Sequence, residues 1–363
     1  MLLKYKIEGI NVISPRKDFQ LIGMGCHQST PVPRIKQDPK EAADSDNTTN
    51  DSFHELSDNF NLTGRSQGTP RTACSFGFLI EQTENYQIYE YMFQDEIGKG
   101  STTRVYQVLN VETNQTYAAK VYSKSLLTKQ VLLGGNSALD NLKEEIEVQS
   151  KMNNPYVLPI IEIIEDEPSD SLIMVMPIAK YGNLIHYIES QKPDEKNLAL
   201  CFFQICSAIK YIHTNNIVHR DIKPANILVI DVDNFCLADF SCSRKLSSSD
   251  EMLLDTKGTP AYLSPEECSG DIYSPKATDI WALGLSLYYA MFGYLPFELE
   301  TTVGSELANL VLNVSHLLKE KELIIPECSD EVRDLISKLL VKDYRDRITI
   351  EEALNHPWFK KFQ

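Results

Sequence analysis

The chain has 363 residues, 42% of them apolar, which is enough for two average domains or one large domain with a substantial core. Its formal net charge of −16 argues against nucleic acid as a partner, because a phosphate backbone binds to a basic surface. No apolar run reaches the roughly 18 residues of a membrane-spanning helix. The eight cysteines form no CxxC pair, which is typical of the reduced thiols of a cytoplasmic protein.

Residues 1–85 are predicted to form a largely disordered extension. Between about Pro31 and Thr72 the chain has few large apolar side chains and is rich in Asp, Ser, Thr, Asn, Gln and Pro. Such a segment buries too little apolar surface to offset the chain entropy that folding removes.

A candidate acylation motif, MGCHQST, lies in this extension at Met24–Thr30. It matches the N-myristoylation pattern only if Met24, and not Met1, is the initiator. Gly25 would then carry a myristoyl chain and Cys26 a palmitoyl chain, and two acyl chains anchor a protein stably to a membrane. The other interpretation is a chance match. We expect a cytoplasmic protein that associates with membranes if the motif is used.

A sheet-forming region follows, over about residues 86–180. Strand patterns flank the glycine turn GKG at Gly98–Gly100, and a third strand contains YAAKVYSK. An amphipathic helix is predicted over 140–152, ahead of short strands in YVLPIIEIIED and SLIMVMPI. These patterns indicate a small lobe built on an antiparallel sheet.

Helical patterns dominate from about residue 181 to residue 360. Apolar residues recur at helical spacing in LALCFFQICSAIKYIHTNN, TDIWALGLSLYYAMFG, SDEVRDLISKLLVK and TIEEALNHPWF. The predicted fold class is therefore α+β, with a bilobal domain over 86–360 that has an antiparallel-sheet N-lobe and a mainly helical C-lobe. A ligand is expected in the cleft between the lobes.

The segment HRDIKPANIL, His219–Leu228, carries residues that suit a phosphoryl transfer. Transfer to an alcohol needs a carboxylate that accepts the hydroxyl proton and an oxygen ligand for Mg²⁺. Asp221 suits the first role and Asn226 the second, while Lys223 between them can neutralise charge on the transferred group. The string resembles the catalytic loop of serine/threonine protein kinases.

Two further segments resemble parts of the protein kinase fold. LADFS, Leu237–Ser241, is similar to the DFG motif, which implies that Asp239 binds Mg²⁺, although Ser241 replaces the glycine. GKGSTTRV resembles the glycine loop that covers the ATP phosphates, with Thr103 in place of the third glycine. Both departures leave the metal ligand and the first two glycines intact.

Lys120, in the string YAAK, resembles the lysine that holds the α- and β-phosphates of ATP. The resemblance implies a glutamate partner on the helix KEEIEVQSKM, where the family's spacing selects Glu145 and leaves Glu144 as its rival. One turn later, Gln149 takes a position that is usually apolar and packs against Phe240. We expect this glutamine to weaken the alignment of the lobes.

ATP and Mg²⁺ are the cofactors that the resemblance implies. The adenine is expected between Val105, Ala118 and Leu228, with Met176 at the back of the pocket. The remaining contacts come from the glycine loop and the connection between the lobes. The predicted ATP-binding residues are Ile97, Gly98, Lys99, Gly100, Val105, Ala118, Lys120, Met176, Pro177, Ile178, Ala179 and Leu228.

The segment from Phe240 to Glu266 resembles a kinase activation segment that ends in SPE. Arg220, beside the catalytic aspartate, has no evident acidic partner in the sequence. A phosphate on Thr256 is therefore its predicted partner, because a phosphate and a guanidinium form bidentate hydrogen bonds. Ser247–Ser249 are alternative phosphosites.

Four other residues receive supporting roles from the resemblance. Thr259 is expected to hydrogen-bond Asp221, and Asp279 to accept hydrogen bonds from the catalytic-loop backbone. Glu266 is expected to pair with Arg347 in the larger lobe.

Finer details of the chain narrow the resemblance further. They are QDEIGKGS, YAAKVYSKSLL, the insertion VLLGGNSALDN, GTPAYLSPEEC and KATDIWALGLSLYYAMFGYLPF. They look like the calcium/calmodulin-dependent protein kinase kinases and the related plant and fungal kinases that activate AMP-activated/SNF-type kinases. The implied substrate is the activation loop of another kinase, and calmodulin is not an expected partner, because no basic amphipathic helix follows HPWFKKFQ.

An alternative function is a pseudokinase-like scaffold that binds ATP or partner kinases with little catalysis. The substitutions at Thr103, Ser241 and Gln149 suggest it. Scaffolds commonly lack one of four residues that are all present here: Lys120, Asp221, Asn226 and Asp239. A small-molecule kinase is a third possibility, against which GTPAYLSPE argues, since that element presents a protein substrate.

Overall fold

The computed structural model describes residues 3–5, 86–100, 102–131, 135, 137–165, 169–270, 272–297 and 307–360. The predicted disordered extension and the acylation motif lie outside these residues, apart from positions 3–5. Within the described ranges, no helix combines the length and the apolar character needed to cross a lipid bilayer.

The N-lobe is built on an antiparallel sheet that has seven strands in the described part of the chain. The strands are β1 (Leu3–Tyr5), β2 (Tyr86–Ile88), β3 (Tyr91–Lys99), β4 (Thr103–Asn110), β5 (Gln115–Ser123), β6 (Glu162–Glu165) and β7 (Ser171–Pro177). Their order in the sheet, β1-β6-β7-β5-β4-β3-β2, places β5 at the centre. Strand β1, which was not predicted from the sequence, lies at the edge and pairs with β6.

Two helices accompany the sheet, α1 (Lys124–Lys129) and α2 (Ala138–Ser150). Helix α2 begins at a capping box, in which Ser137 and Asp140 exchange side-chain and backbone hydrogen bonds. This cap fixes the start of α2 at Ala138, and the helix begins and ends two residues before the predicted span of 140–152.

The C-lobe is mainly helical, as its apolar periodicity predicted. Its helices are α3 (Leu184–Gln191), α4 (Glu195–Thr214), α5 (Pro275–Phe292), α6 (Leu307–Glu320), α7 (Asp330–Leu339), α8 (Ile350–Leu354) and α9 (Pro357–Lys360). The C-lobe also contains two short antiparallel strand pairs: β8 (Ile217–Val218) with β11 (Arg244–Lys245), and β9 (Ile227–Asp231) with β10 (Asn234–Leu237).

One continuous apolar core holds the C-lobe together, with Trp281, Trp358 and Phe202 almost fully buried in it. Helix α5 is apolar on nearly all sides because it crosses the centre of this core. Gly284 permits the close crossing with α7, since a Cβ there would lie 2.8 Å from side-chain atoms of Leu339 and Leu340. The bilobal α+β fold is therefore confirmed.

A buried ion pair fixes the end of the segment that precedes α5. The Arg347 guanidinium donates to both carboxylate oxygens of Glu266, at 2.6 and 2.9 Å, and its central carbon lies 5.1 Å from the centroid of the Trp281 ring. Both partners are almost fully buried. This is the pair that the sequence analysis predicted.

Replacing Arg347 with alanine is expected to lower the free energy of unfolding by about 3–5 kcal/mol, because Glu266 would keep a buried charge without its partner. Chemical denaturation of the full chain measures the change. Arg345→Ala is the matched control, since Arg345 pairs with Asp343 on the exposed surface and should matter little. Equal losses in both variants would contradict the role of the buried pair.

Candidate active site

The catalytic loop is fixed to the helical core by Asp279 of α5. One carboxylate oxygen accepts a hydrogen bond from the backbone N–H of Arg220 at 2.8 Å, and the other accepts from the N–H of His219 at 3.0 Å. The second oxygen also lies 2.8 Å from Nε2 of His213. Burial opposes ionisation of Asp279, but these hydrogen bonds and the neighbouring histidines hold its pKa below the usual value. The predicted supporting role of Asp279 matches this geometry.

Asp221 is held by four hydrogen bonds on its two carboxylate oxygens. Oδ2 accepts from Nζ of Lys223 at 2.7 Å and from Nδ2 of Asn226 at 3.0 Å. Oδ1 accepts from the backbone N–H and the hydroxyl of Thr259, at 3.0 and 2.7 Å. Because a carboxylate has about four acceptor positions, a substrate hydroxyl would approach by displacing one of these donors. The structure thus brings together the predicted catalytic residues of this loop.

Thr259 reaches Asp221 because a glycine precedes it. Gly258 has a φ of +105°, and a Cβ at this position would lie 2.3 Å from the carbonyl oxygen of Arg220. Only glycine allows the activation segment to approach the catalytic loop this closely.

The two predicted metal ligands fit a Mg²⁺ ion. Asp239 has a buried Oδ1 without a hydrogen-bond partner among the described residues. Burial opposes its charge, but Lys120, a side-chain hydrogen bond with Ser241 and the nearby Lys223 hold its pKa below the usual value. Asn226 donates its amide N–H groups to Asp221, which leaves its carbonyl oxygen as a possible ligand. Mg²⁺ is commonly held by one or two protein oxygens together with phosphate oxygens, which suits this pair.

Lys120 lies on the central strand β5, opposite Val105 of β4 and Met174 of β7. Burial disfavours its positive charge, but Tyr122, Asp239 and Glu145 together raise its pKa. The lysine is therefore held as a cation between the sheet, helix α2 and the strand that leads to Asp239.

Glu145, and not its rival Glu144, faces this lysine. Glu144 is exposed, whereas Glu145 interacts electrostatically with Lys120 and Asp239. Burial, together with the negative charge of Asp239, raises the pKa of Glu145 to about 7 even though Lys120 opposes the shift. The glutamate can therefore take up a proton near neutral pH.

The predicted adenine-binding residues form one apolar cluster that includes both lobes. Its buried members include Val105, Ala118, Ile178, Ala179 and Leu228, and Ile97 and Met176 pack at its edge. The register of β5 and β7 places Ala118 opposite Met176 and Tyr117 opposite Pro177. An apolar ring would lie between the sheet and the C-lobe at this point.

The glycine loop is the tight connection between β3 and β4. Gly98 pairs with Val105 and Lys99 with Arg104 across the two strands. The N–H of Gly100 donates to the carbonyl of Thr103 at 2.9 Å, which closes the turn. Ser101, at its tip, lies outside the described residues. Thr103, which replaces the third glycine, is buried at the start of β4.

Gln149 has a hydrogen-bond partner inside the protein, and its weakening effect on the lobe alignment stays a prediction. Its side chain is buried, and its amide donates to the carbonyl of Leu158 at 2.8 Å. The N–H of Leu158 in turn donates to the carbonyl of Leu237 at 2.9 Å, two residues before Asp239. The glutamine therefore links helix α2, through Leu158, to β10, the strand that precedes the metal ligand.

Arg220 has an acidic partner that the sequence analysis missed. Its guanidinium donates to the carboxylate of Asp255 at 2.9 Å, whereas the hydroxyl of Thr256 donates to the carbonyl of Glu267 at 3.2 Å. Asp255 lies 35 residues from Arg220, so only the path of the activation segment brings the two together. Phosphorylation of Thr256 stays a prediction.

Comparison with known proteins agrees with this geometry. Residues 91–359 match the sequence profile of the family described as protein kinase domain. The chain belongs to the protein kinase family. Its relatives are serine/threonine kinases, so this kinase acts on serine or threonine in proteins and uses ATP. The site does not support the scaffold alternative. Scaffolds commonly lack one of Lys120, Asp221, Asn226 and Asp239, and here all four are present and face one cleft.

Three relatives illustrate the similarity. Calcium/calmodulin-dependent protein kinase kinase of Caenorhabditis elegans is 31% identical over 303 residues, which cover 77% of this chain and 54% of that protein. Serine/threonine-protein kinase GRIK1 of Arabidopsis thaliana is 30% identical over 284 residues, covering 77% and 68%. Myosin light chain kinase A of Dictyostelium discoideum is 34% identical over 288 residues, covering 77% and 90%. The kinase thus spans about half the length of the nematode relative.

The raised pKa of Glu145 predicts a pH dependence of the reaction. Above about pH 7 the carboxylate is ionised and attracts Lys120, and below it the carboxyl group takes a proton and the attraction is lost. We expect kcat/KM for ATP, which reports groups of the free enzyme, to fall about tenfold between pH 8 and pH 6.

Two variants test the assignment of this titration to Glu145. Glu145→Gln should have a low kcat/KM without that acidic limb, and Glu144→Gln should keep the wild-type profile. Steady-state rates at fixed ionic strength provide the measurement. An unchanged acidic limb in Glu145→Gln would refute the assignment.

Proposed function

We propose that this kinase transfers the γ-phosphate of ATP to the activation-loop threonine of another protein kinase, of the AMP-activated/SNF type. The observation that carries the proposal is the similarity of the catalytic domain to the nematode kinase kinase and to GRIK1. The name of the nematode relative states that its substrate is a protein kinase. The sequence details quoted for the resemblance point to the same substrate class.

The surface beside the catalytic loop supports a folded protein as the substrate. Met252, Leu254 and Ile272 expose large apolar side chains, with exposed fractions of 37%, 62% and 65%. Two backbone hydrogen bonds of 2.9 Å between Leu253 and Tyr273 hold these segments side by side. Exposed apolar residues in one region are typical of protein–protein contacts.

The catalytic roles follow from the geometry of the cleft. Asp221 would orient the acceptor hydroxyl and take its proton, and Lys223 would neutralise charge on the transferred phosphoryl group. Lys120, positioned by Glu145, would hold the α- and β-phosphates. Asn226 and Asp239 would bind Mg²⁺, which would neutralise charge on the phosphates.

We further propose that calmodulin is not required for activity. The support is that Lys120, Glu145 and Asp239 already lie close enough together to interact electrostatically. A regulator that assembles the site would have little left to change.

The substrate proposal predicts phosphorylation at one defined residue. The full-length kinase is incubated with Mg·ATP and a catalytically inactive AMP-activated/SNF-type kinase domain, and the phosphosites are mapped by mass spectrometry. We expect the activation-loop threonine to be the main product, at the same rate with and without calcium and calmodulin.

Two controls accompany this experiment. Asp221→Asn should lower the rate by roughly 10²–10⁴-fold, because the hydroxyl loses its proton acceptor. An acceptor whose activation-loop threonine is replaced with alanine should lose the main product. Phosphorylation of both acceptors at other sites only would overturn the substrate proposal, while leaving the kinase activity established.

We also propose that the kinase is a cytoplasmic protein that associates with membranes through acylation at Gly25 and Cys26. The motif at Met24–Thr30 supports it, provided that translation begins at Met24. Intact mass of the native protein should show a myristoyl group on Gly25, and Gly25→Ala should shift the protein to the soluble fraction. A mature N-terminus at Met1 would eliminate the proposal.

A further inference from the structure

A buried arginine lies directly before the catalytic aspartate. The side chain of Arg220 is 1% exposed, and its Nη2 donates to the carboxylate of Asp255 at 2.9 Å and to the backbone carbonyl of the same residue at 2.7 Å. A guanidinium that is removed from water needs an anionic partner, because an unpaired buried charge is strongly unfavourable. Asp255 provides this partner from the activation segment.

A second arginine contacts the same carboxylate. Nη1 of Arg244 lies 3.6 Å from Oδ1 of Asp255, and Nη2 of Arg244 lies 2.7 Å from the carboxylate of Glu251. Arg244 belongs to β11, where it pairs with Val218 of β8, the strand that leads into the catalytic loop. Asp255 therefore joins two arginines, one on β11 and the other two residues after the end of its partner strand β8.

Other acidic groups in this region are engaged elsewhere. The carboxylate of Glu267 accepts hydrogen bonds from the N–H and the hydroxyl of Ser264, at 3.0 and 2.9 Å. Within the part of the chain that the structure describes, Asp255 is the carboxylate in ion-pair contact with Arg220. The hydroxyl of Thr256 is bonded to a backbone carbonyl and does not contact the guanidinium.

We infer that Asp255 is a positioning residue whose carboxylate replaces an activation-segment phosphate, so that this kinase is active without phosphorylation of the segment. A segment phosphate acts by placing negative charge and acceptor oxygens on arginines near the catalytic loop. Asp255 supplies one such charge to both Arg220 and Arg244. The chain carries this group permanently, whereas a phosphate has to be added by an enzyme.

The contacts also connect Asp255 to the reacting centre. The carbonyl of Arg220 packs against Gly258, and the next residue, Thr259, donates two hydrogen bonds to Asp221. The backbone carbonyl of Asp255 accepts a further hydrogen bond from the Tyr273 hydroxyl at 2.6 Å. Without the Asp255 carboxylate, the activation segment would lose its ion pair with Arg220. This ion pair lies close to Thr259 and Asp221, which face the protein acceptor. Lys120 and Asp239, which face ATP, are not part of this attachment.

The experiment uses the full chain, produced together with a protein phosphatase, with intact mass showing that no phosphate remains. Initial rates with a basic protein acceptor such as histone give kcat and KM for the acceptor and for ATP. We expect the phosphate-free wild type to be active. Asp255→Ala should lower kcat/KM for the acceptor by about tenfold or more, since a hydrogen bond to a charged group is lost, without changing KM for ATP.

Three comparison variants make the result specific. Asp255→Glu should restore most of the rate, because it keeps the charge. Asp250→Ala should match the wild type, since Asp250 is an exposed acid on the same segment. Thr256→Ala should remain much more active than Asp255→Ala.

Several results would overturn the inference. One is a phosphate-free wild type that is inactive until Thr256 is phosphorylated, and another is an Asp255→Ala variant as active as the wild type. A third is a parallel loss of ATP binding and melting temperature in Asp255→Ala, which would show a general structural role.

Discussion

The hydrogen bonds from the catalytic-loop backbone to the carboxylate of Asp279 are the interaction on which the rest of the site depends. Asp279 is buried in α5, and α5 passes through the centre of the C-lobe core. Because the backbone N–H groups of His219 and Arg220 are fixed to this helix, the position of Asp221 is set by the packing of the whole lobe. Asp221 can then collect donors from two separate segments of the chain.

The N-lobe contributes charges whose balance is set by burial. Lys120, Glu145 and Asp239 come from a strand, a helix and a loop, and the pKa of each is changed by at least one of the others. The lysine keeps the aspartate ionised, while the same aspartate makes the glutamate easier to protonate. The hydrogen bond from Gln149 to Leu158 supports this arrangement, because it ties the helix to the strand that precedes the aspartate.

The activation segment is attached at two points by buried arginines. Arg347 holds Glu266 near its end, and Arg220 holds Asp255 in its middle. Between the two attachments lie Gly258 and Thr259, which contact the catalytic loop. Thr103 in the glycine loop and Ser241 in the DFG-like motif therefore occur in a site whose activation segment is attached to the catalytic loop and to the C-lobe core. This is the structural basis for treating the chain as an active kinase.

Much of the site could be predicted from local sequence patterns. The string HRDIKPANIL specifies Asp221, Lys223 and Asn226 within one loop, and alternating and helical periodicity separates the two lobes. These features could be read because each depends on residues that are close together in the chain. Predictions for Lys120 and Glu145 needed the family's spacing as well, since the two lie on different elements.

The tertiary structure decided the features that depend on residues far apart in the chain. No local pattern pairs Asp255 with Arg220 or places β1 at the edge of the sheet, because both contacts depend on the path of long connections. The partner of Gln149 was not predicted for the same reason, since it is a backbone carbonyl that has no signature in the sequence. The sequence alone determined which chemical groups the kinase has, while the fold determined which of them meet, because burial and hydrogen bonding act between neighbours in space.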